Sequence, residues 1–279
     1  MEPMLPLSRA RVFFDATLGP IRLKHPEGVA VAADGAIWCS GDGGEIYRIA
    51  PDGSGIEIVA NTGGFTLGMA FDRQGLLYVC DLGHKAVFRL DPATKQLEQW
   101  ATGGVGGQMK IPNYPVVDPV RNCLYVSDSH AFGTPGPGIW RFDLTTGQGG
   151  LWYAGTLNFG NGMALSLDRN TLYVVETFAR RVSRIPIQAD GSPGQAEVFV
   201  EGIERLPDGL AFDVDGNLYI SCYEPSRIFR ASPDGKLALF IDDPEAHTMC
   251  HPTNIAFRGT ELFTANLGRW HITVIDAGV

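Results

Sequence analysis

The chain has 279 residues, 44% of them hydrophobic and 19% charged, enough to bury a large core in one big domain or two modest ones. A formal charge of -9, with no run of lysine or arginine, argues against nucleic acid or an acidic membrane surface as partner. Thirty-five glycines and 18 prolines favour an all-β chain with many tight turns over a helical one.

In chain order, the N-terminal "MEPMLPLSRARVFF" lacks the uninterrupted apolar segment of a secretory signal, and no stretch approaches transmembrane length. A soluble cytoplasmic protein is the expectation. Five cysteines, an odd number without a Cys-x-x-Cys pair, fit reduced thiols better than a disulfide framework. Cys39, Cys80 and Cys222 fall in or at the ends of apolar runs and read as small core residues.

A hairpin-like unit then recurs along the chain. Its copies are "PEGVAVAADGAIWCSG" from Pro26, "TLGMAFDRQGLLYVCD" from Thr66, "PNYPVVDPVRNCLYVSD" from Pro112, "GNGMALSLDRNTLYVVE" from Gly160, "PDGLAFDVDGNLYISC" from Pro207 and "PTNIAFRGTELFTAN" from Pro252. Each is an apolar strand, a polar or glycine-containing corner and a second strand that usually starts with an aromatic. Third strands such as "EIYRIAPDG" and "GIWRFDLTT" follow most copies, and then fourth strands such as "IEIVA" and "AEVFV". Four antiparallel strands repeated roughly every 40 to 50 residues predict a propeller, because one small sheet buries both faces only when neighbours stack on it.

Six copies predict a single six-bladed β-propeller domain over residues 1–279. The last copy, ending "HITVIDAGV", has three strands, and "ARVFFDA" near the N-terminus precedes the first copy. This strand is expected to complete the sixth blade and remove the open edge.

Aligned on the residue just before each first strand, the copies give Glu27, Leu67, Asn113, Asn161, Asp208 and Asn254, at spacings of 40, 46, 48, 47 and 46 residues. Equivalent positions at the start of channel-lining strands form a ring at the channel mouth. Five of the six carry side-chain oxygen and two of those are carboxylates. Facing carboxylates near an axis are costly unless neutralised, and a divalent cation neutralises them. Carboxylates, amides and water suit calcium, magnesium or manganese, and zinc also accepts carboxylates. Calcium is the expected ion. Taken singly, Asn161 before a glycine is an ordinary turn residue, whereas turn chemistry explains neither Glu27 nor Asn254. "DVDGN" at 213–217 is a hairpin turn, because Leu218 stands where a calcium loop requires glycine.

"HPEGVAV", "IPNYPVVDP", "NGMALSLDRNTLYVVET", "LPDGLAFDVDGNLYIS" and "HPTNIAF" together resemble the SMP-30/gluconolactonase/luciferin-regenerating-enzyme-like family of six-bladed propellers. The resemblance implies that Glu27, Asn161 and Asp208 hold a catalytic divalent metal, with Asn113 as a further ligand and Asp208 as the general base of a lactonase. Sugar-lactone members commonly have Arg two residues before the Asn matching Asn113 and Asp after it. Here those positions are Ile111 and Tyr114, with Lys110 beside them, so a substrate less polar than a sugar lactone is expected.

The loops after the second strands return to the same face. With Ile111, Tyr114 and Asn254, they make His84, His130, Glu176, Tyr223 and Asn266 candidate pocket residues, and the Gly- and Pro-rich 129–138 loop a candidate overhang. His251 is a candidate supporting residue. The expected activity is metal-dependent opening of a lactone by a polarised carbonyl and an activated water. The alternatives are phosphotriester hydrolysis on the same site, and a non-catalytic ligand-binding propeller with a structural metal. No Gly-x-Ser-x-Gly elbow supports a serine hydrolase. The expected partner is a small-molecule lactone or ester, bound by a monomer or weak homo-oligomer.

Overall fold

The computed structural model describes residues 1–278. Six four-stranded antiparallel sheets span residues 29–61, 66–101, 112–157, 160–201 and 207–242, with the sixth built from residues 252–276 and the N-terminal strand Ala10–Asp15. Sequence order runs outward from the axis in the first five blades, and in the sixth the N-terminal strand is outermost. The six first strands touch one another in cyclic order, and the last touches the first, which closes the ring. The six-bladed propeller expected from the repeat is the fold observed.

Closure also follows the sequence. Ala10 pairs with Ile275 and Asp15 with His271, so the N-terminal strand is the fourth strand of blade six. An aromatic early in the second strand of blades two to five meets an aromatic of the fourth strand edge-on: Tyr78 with Trp100, Tyr125 with Trp152, Tyr173 with Phe199 and Tyr219 with Phe240, with centroids 4.8–5.0 Å apart. In blade six Phe263 meets Phe13 of the N-terminal strand in the same way, at 5.0 Å. Edge-to-face pairs of this kind add about 0.5–1.5 kcal/mol beyond their buried area.

Alanine stands across the first ladder from a second-strand aromatic in five blades: Ala30 from Trp38, Ala70 from Tyr78, Ala164 from Tyr173, Ala211 from Tyr219 and Ala256 from Phe263. Small residues there leave room for the next blade to pack on the ring. All five cysteines are buried and free. Among the described residues helix is confined to two short turns, Leu7–Arg9 and Thr177–Ala179, and none is long and apolar enough to cross a membrane.

Candidate metal centre and pocket

The ring positions coincide with a repeated fault in the ladders. Pairing between first and second strands is interrupted between Thr66 and Met69, Pro112 and Pro115, Gly160 and Met163, Pro207 and Leu210, and Pro252 and Ile255. Leu67, Asn113, Asn161, Asp208 and Asn254 each lie inside that interruption. A bulge re-aims a side chain that regular pleating would send into a sheet face. Here it releases the ring residues from the two-residue alternation.

Glycine follows the ring residue in four blades, for a steric reason. A Cβ on Gly209 would lie 2.6 Å from the Thr253 carbonyl oxygen, and one on Gly28 or Gly162 would run into the Leu67 or Asp208 carbonyl oxygen. The first strands of neighbouring blades therefore approach closely enough for their leading side chains to share one space.

Glu27, Asn113, Asn161 and Asp208 line a single cavity of about 280 Å³ at the mouth of the channel. All four are more than nine-tenths buried, and Asn254 is fully buried beside them. Burial, reinforced by the neighbouring Asp208 charge, pushes the Glu27 carboxyl well above its usual range. Burial likewise pushes Asp208 up to about 7, although the Asn161 and Asn254 amides beside it pull the other way. Asn254 donates from Nδ2 to Asp208 Oδ1 at 3.5 Å. Blade two contributes only Leu67, which leaves one side of the ring apolar.

The amide oxygens provide a direct test of whether a cation fits. Asn113 Oδ1, Asn161 Oδ1 and Asn254 Oδ1 are all buried and accept no hydrogen bond from any described residue. Their nitrogens are engaged: Asn113 Nδ2 donates to Ser129 Oγ at 3.1 Å and Asn161 Nδ2 to Thr177 Oγ1 at 3.2 Å. Three orphaned acceptors lie with two buried carboxylates, and the one donor among these groups that reaches a carboxylate at hydrogen-bond distance is Asn254 Nδ2. Orphaned buried oxygen is costly, and a hard cation is the kind of partner that carboxylate and amide oxygens suit. No group of three His, Cys, Asp or Glu suited to a metal occurs among the described residues, so amide oxygen is an essential part of the donor set.

Above this polar floor the walls are apolar. Phe65, Leu82, Ile111, Leu206 and Leu267 line the cavity together with Phe132, Phe159 and Phe178. Phe159 lies with its ring centroid 4.9 Å from that of Phe132 and 4.8 Å from that of Phe178. Phe132, from the 129–138 loop, is 71% exposed, so this loop contributes a ring that the protein itself leaves uncovered. Phe159 has φ 62°, a left-handed conformation costly for a bulky residue.

Of the candidate pocket residues, Ile111 and Tyr223 line this cavity, and Tyr114, His84, His130, Glu176 and Asn254 lie outside its lining. Tyr114 is buried against the first strand of blade two, where Gly68 makes room for its ring. Glu176 is held inside its own blade by Arg181 at 2.7 Å and Ser183 at 2.6 Å, and accepts from the Asn158 backbone. Burial pushes its carboxyl up, but these bonds outweigh it and leave Glu176 below its usual range. His84 bonds to Asp81 at 3.1 Å, and His130 to Lys110 Nζ at 3.1 Å.

Glu176 is one of a set. Asp81, Asp128, Glu176, Cys222 and Asn266 pair across the ladder with Thr66, Pro112, Gly160, Pro207 and Pro252, each one or two residues from a ring position. Asp128 accepts from the backbone of Lys110, Ile111 and His130, and Asn266 accepts from the backbone of Cys250. These polar groups clamp the crossovers that deliver the ring residues, and do not face the cavity. The residues missed from sequence are Ser129 and Thr177, together with the phenylalanine wall. Ser129 and Thr177 each follow their ring asparagine by 16 residues, a spacing the repeat alignment contains.

A propeller with a ring of oxygen donors under an apolar pocket defines the class. Residues 152–266 match the family described as SMP-30/gluconolactonase/LRE-like region, the family that the sequence motifs resemble. Residues 18–49 also match the strictosidine synthase-like N-terminal family. Protein STRICTOSIDINE SYNTHASE-LIKE 6 of Arabidopsis thaliana is 30% identical over 216 residues, which is 71% of this chain and 56% of that protein's length. Lactonase drp35 of Staphylococcus aureus is 26% identical over 254 residues, covering 71% of this chain and 78% of that one. Among solved structures, a calcium-binding protein, regucalcin, from Agrobacterium tumefaciens superposes with TM-score 0.79 at 20% identity over 99% of this chain and 95% of that one, a likeness of fold.

Proposed function

We propose that the chain is a divalent-metal-dependent lactonase acting on a substrate less polar than a sugar lactone. The observation that carries this reading is that Asn113 and Asn161, with unpartnered amide oxygens, line one cavity together with the buried carboxylates of Glu27 and Asp208, while Asn254, also with an unpartnered oxygen, bonds to Asp208. The lactonase named among the relatives and the metal-type donor set support it jointly. Calcium is the preferred ion, because all five donors are hard oxygens and a fold neighbour is described as calcium-binding. The five buried free thiols support a reducing compartment such as the cytoplasm.

Glu27, Asn113, Asn161, Asn254 and Asp208 would hold the cation. When bound, it offsets the two carboxylate charges and supplies Lewis-acid polarisation of an ester carbonyl. Asp208 is the base, positioned to take the proton of the attacking water, with Asn254 fixing its carboxylate from one side. The phenylalanine and leucine walls exclude bulk water and take the apolar part of the substrate. No lysine or arginine lines the cavity to meet sugar hydroxyls.

The test is hydrolysis of a panel of apolar lactones, sugar lactones and phosphotriesters by chelator-stripped protein and by the same protein reloaded with calcium. Reloading is expected to restore turnover, with apolar lactones preferred. Equal rates with and without metal would overturn the reading, and a preference for phosphotriesters would redirect it to phosphorus.

A further inference from the structure

The side-chain donors that line the pocket are almost all committed. Thr177 donates to the Pro207 carbonyl at 2.9 Å, and the Asn113 and Asn161 amide nitrogens are held by Ser129 and Thr177. The remaining lining side chains are apolar or carboxylic, except for Tyr223.

Tyr223 is held firmly everywhere but at its hydroxyl. Its ring lies on the His251 imidazole, with centroids 4.5 Å apart and planes 22° from parallel. His251 Nδ1 lies 2.9 Å from the Tyr223 carbonyl oxygen and 3.3 Å from the Glu224 carboxylate, so the imidazole is itself anchored. The Tyr223 backbone N–H donates to the Leu206 carbonyl at 2.8 Å, two residues before Asp208. The phenol is therefore tied to the strand that carries the base. Tyr223 is half-buried, and its hydroxyl makes no hydrogen bond to any described residue. A donor without a protein partner, on a residue that lines the cavity, is available to whatever occupies that cavity.

Resting on the ester-opening reading of this site, we infer that Tyr223 is a catalytic residue whose hydroxyl donates a hydrogen bond to the carbonyl oxygen as negative charge builds there. Water oxygen bonds to the carbonyl carbon, its proton passes to Asp208, and the carbonyl electron pair moves onto oxygen. Collapse breaks the bond to the ring oxygen, which takes the proton back from Asp208. The phenol keeps its own proton throughout and acts by pre-set electrostatic stabilisation. Burial first, and then the Glu27 carboxylate, hold its proton above the ordinary phenol range.

Tyr223→Phe keeps the stacked ring and removes only the donor. In the full chain loaded with calcium, on a series of apolar lactones, kcat is expected to fall about 10²- to 10³-fold, the usual loss for one oxyanion donor. KM and calcium affinity by titration calorimetry are expected to stay near wild type. A kcat close to wild type, or a change confined to KM, overturns the assignment, because the phenol would then bind ground and transition states alike. Weakened calcium binding also overturns it, by making Tyr223 part of the metal site. If wild type opens none of the series, the lactonase reading falls and takes this one with it, whereas wild-type turnover with an unimpaired Tyr223→Phe sinks this one alone.

Discussion

Asn113 and Ser129 share a hydrogen bond whose direction is set from outside the pair. Ser129 Oγ donates its proton to the Gly160 carbonyl at 2.8 Å, so towards Asn113 it can only accept, and it takes the amide Nδ2 at 3.1 Å. Asn113 Oδ1 is thereby turned to the cavity. Thr177 does the same for Asn161, with the Pro207 carbonyl as its acceptor. In both cases the carbonyl that fixes the hydroxyl belongs to the next blade, so blade packing determines which amide atom faces the axis.

Removing this constraint has a measurable consequence. Ser129→Ala leaves the Asn113 amide free to turn its NH2 inward, and Thr177→Val does the same at Asn161. Each is expected to weaken calcium binding about 10- to 100-fold, as loss of a ligand-orienting partner generally does. Thr177→Ser retains the hydroxyl and should stay near wild type. Calorimetric titration of the stripped proteins checks all three, and an unchanged affinity in Ser129→Ala would show that the amide orients itself.

A second expectation concerns pH. With its carboxyl raised to about 7 in the folded chain against about 4 when unfolded, Asp208 binds more protons folded than unfolded between those values. Metal-free stability attributable to this group therefore falls as pH rises from about 4 to about 7. Asp208→Asn should melt at the same temperature as wild type near pH 4 and higher than wild type at pH 8, both in chelator. Added calcium should reverse the order at pH 8, because wild type gains a ligand the variant has lost. Thermal melts at the two pH values, with and without calcium, decide it.

Much of this was legible in the sequence, because a propeller writes its geometry as a period. Glu27, Asn113, Asn161, Asp208 and Asn254 align by repeat alone, and "ARVFFDA" was the one strand left to finish blade six. Period says nothing about where a loop side chain points. Glu176, His84 and His130 sit at the right end of their blades and turn into local ion pairs and hydrogen bonds. The 129–138 loop does reach the pocket, but through Phe132 rather than a polar residue. Asn254 differs for another reason: it is fully buried and bonds to Asp208 without lining the cavity, and in our reading it joins the donors.

Phe159 couples backbone strain to recognition. A left-handed aromatic costs about 1–2 kcal/mol relative to glycine, and here it places a ring between Phe132 and Phe178. Phe159→Gly relieves the strain and removes the ring. We expect part of the lost packing to be offset, calcium affinity to be retained, and kcat/KM for apolar lactones to fall about tenfold or more. Turnover of a small sugar lactone should fall far less. Equal losses for both substrates would mean that the ring supports the site's shape and does not read the substrate.

Gly162 offers a test of the ring's tight closure. A methyl there meets the Asp208 carbonyl oxygen and the Gly209 backbone at distances that no side-chain rotation relieves. The fourth and fifth blades must part, separating Asn161 from Asp208, the two groups that share the cation in our reading. Gly162→Ala is therefore expected to lower stability by a few kcal/mol, as steric strain in a packed interior does, and to weaken calcium binding with it. At Gly75, by contrast, no atom lies within 4 Å and φ is 85°, so Gly75→Ala should cost about 1 kcal/mol of backbone strain and leave calcium affinity untouched. Melting temperatures and calcium titrations of the two variants separate interference at the axis from ordinary turn strain. Matching losses of calcium affinity in both would argue that general loosening, rather than the Asn161 to Asp208 spacing, controls the site.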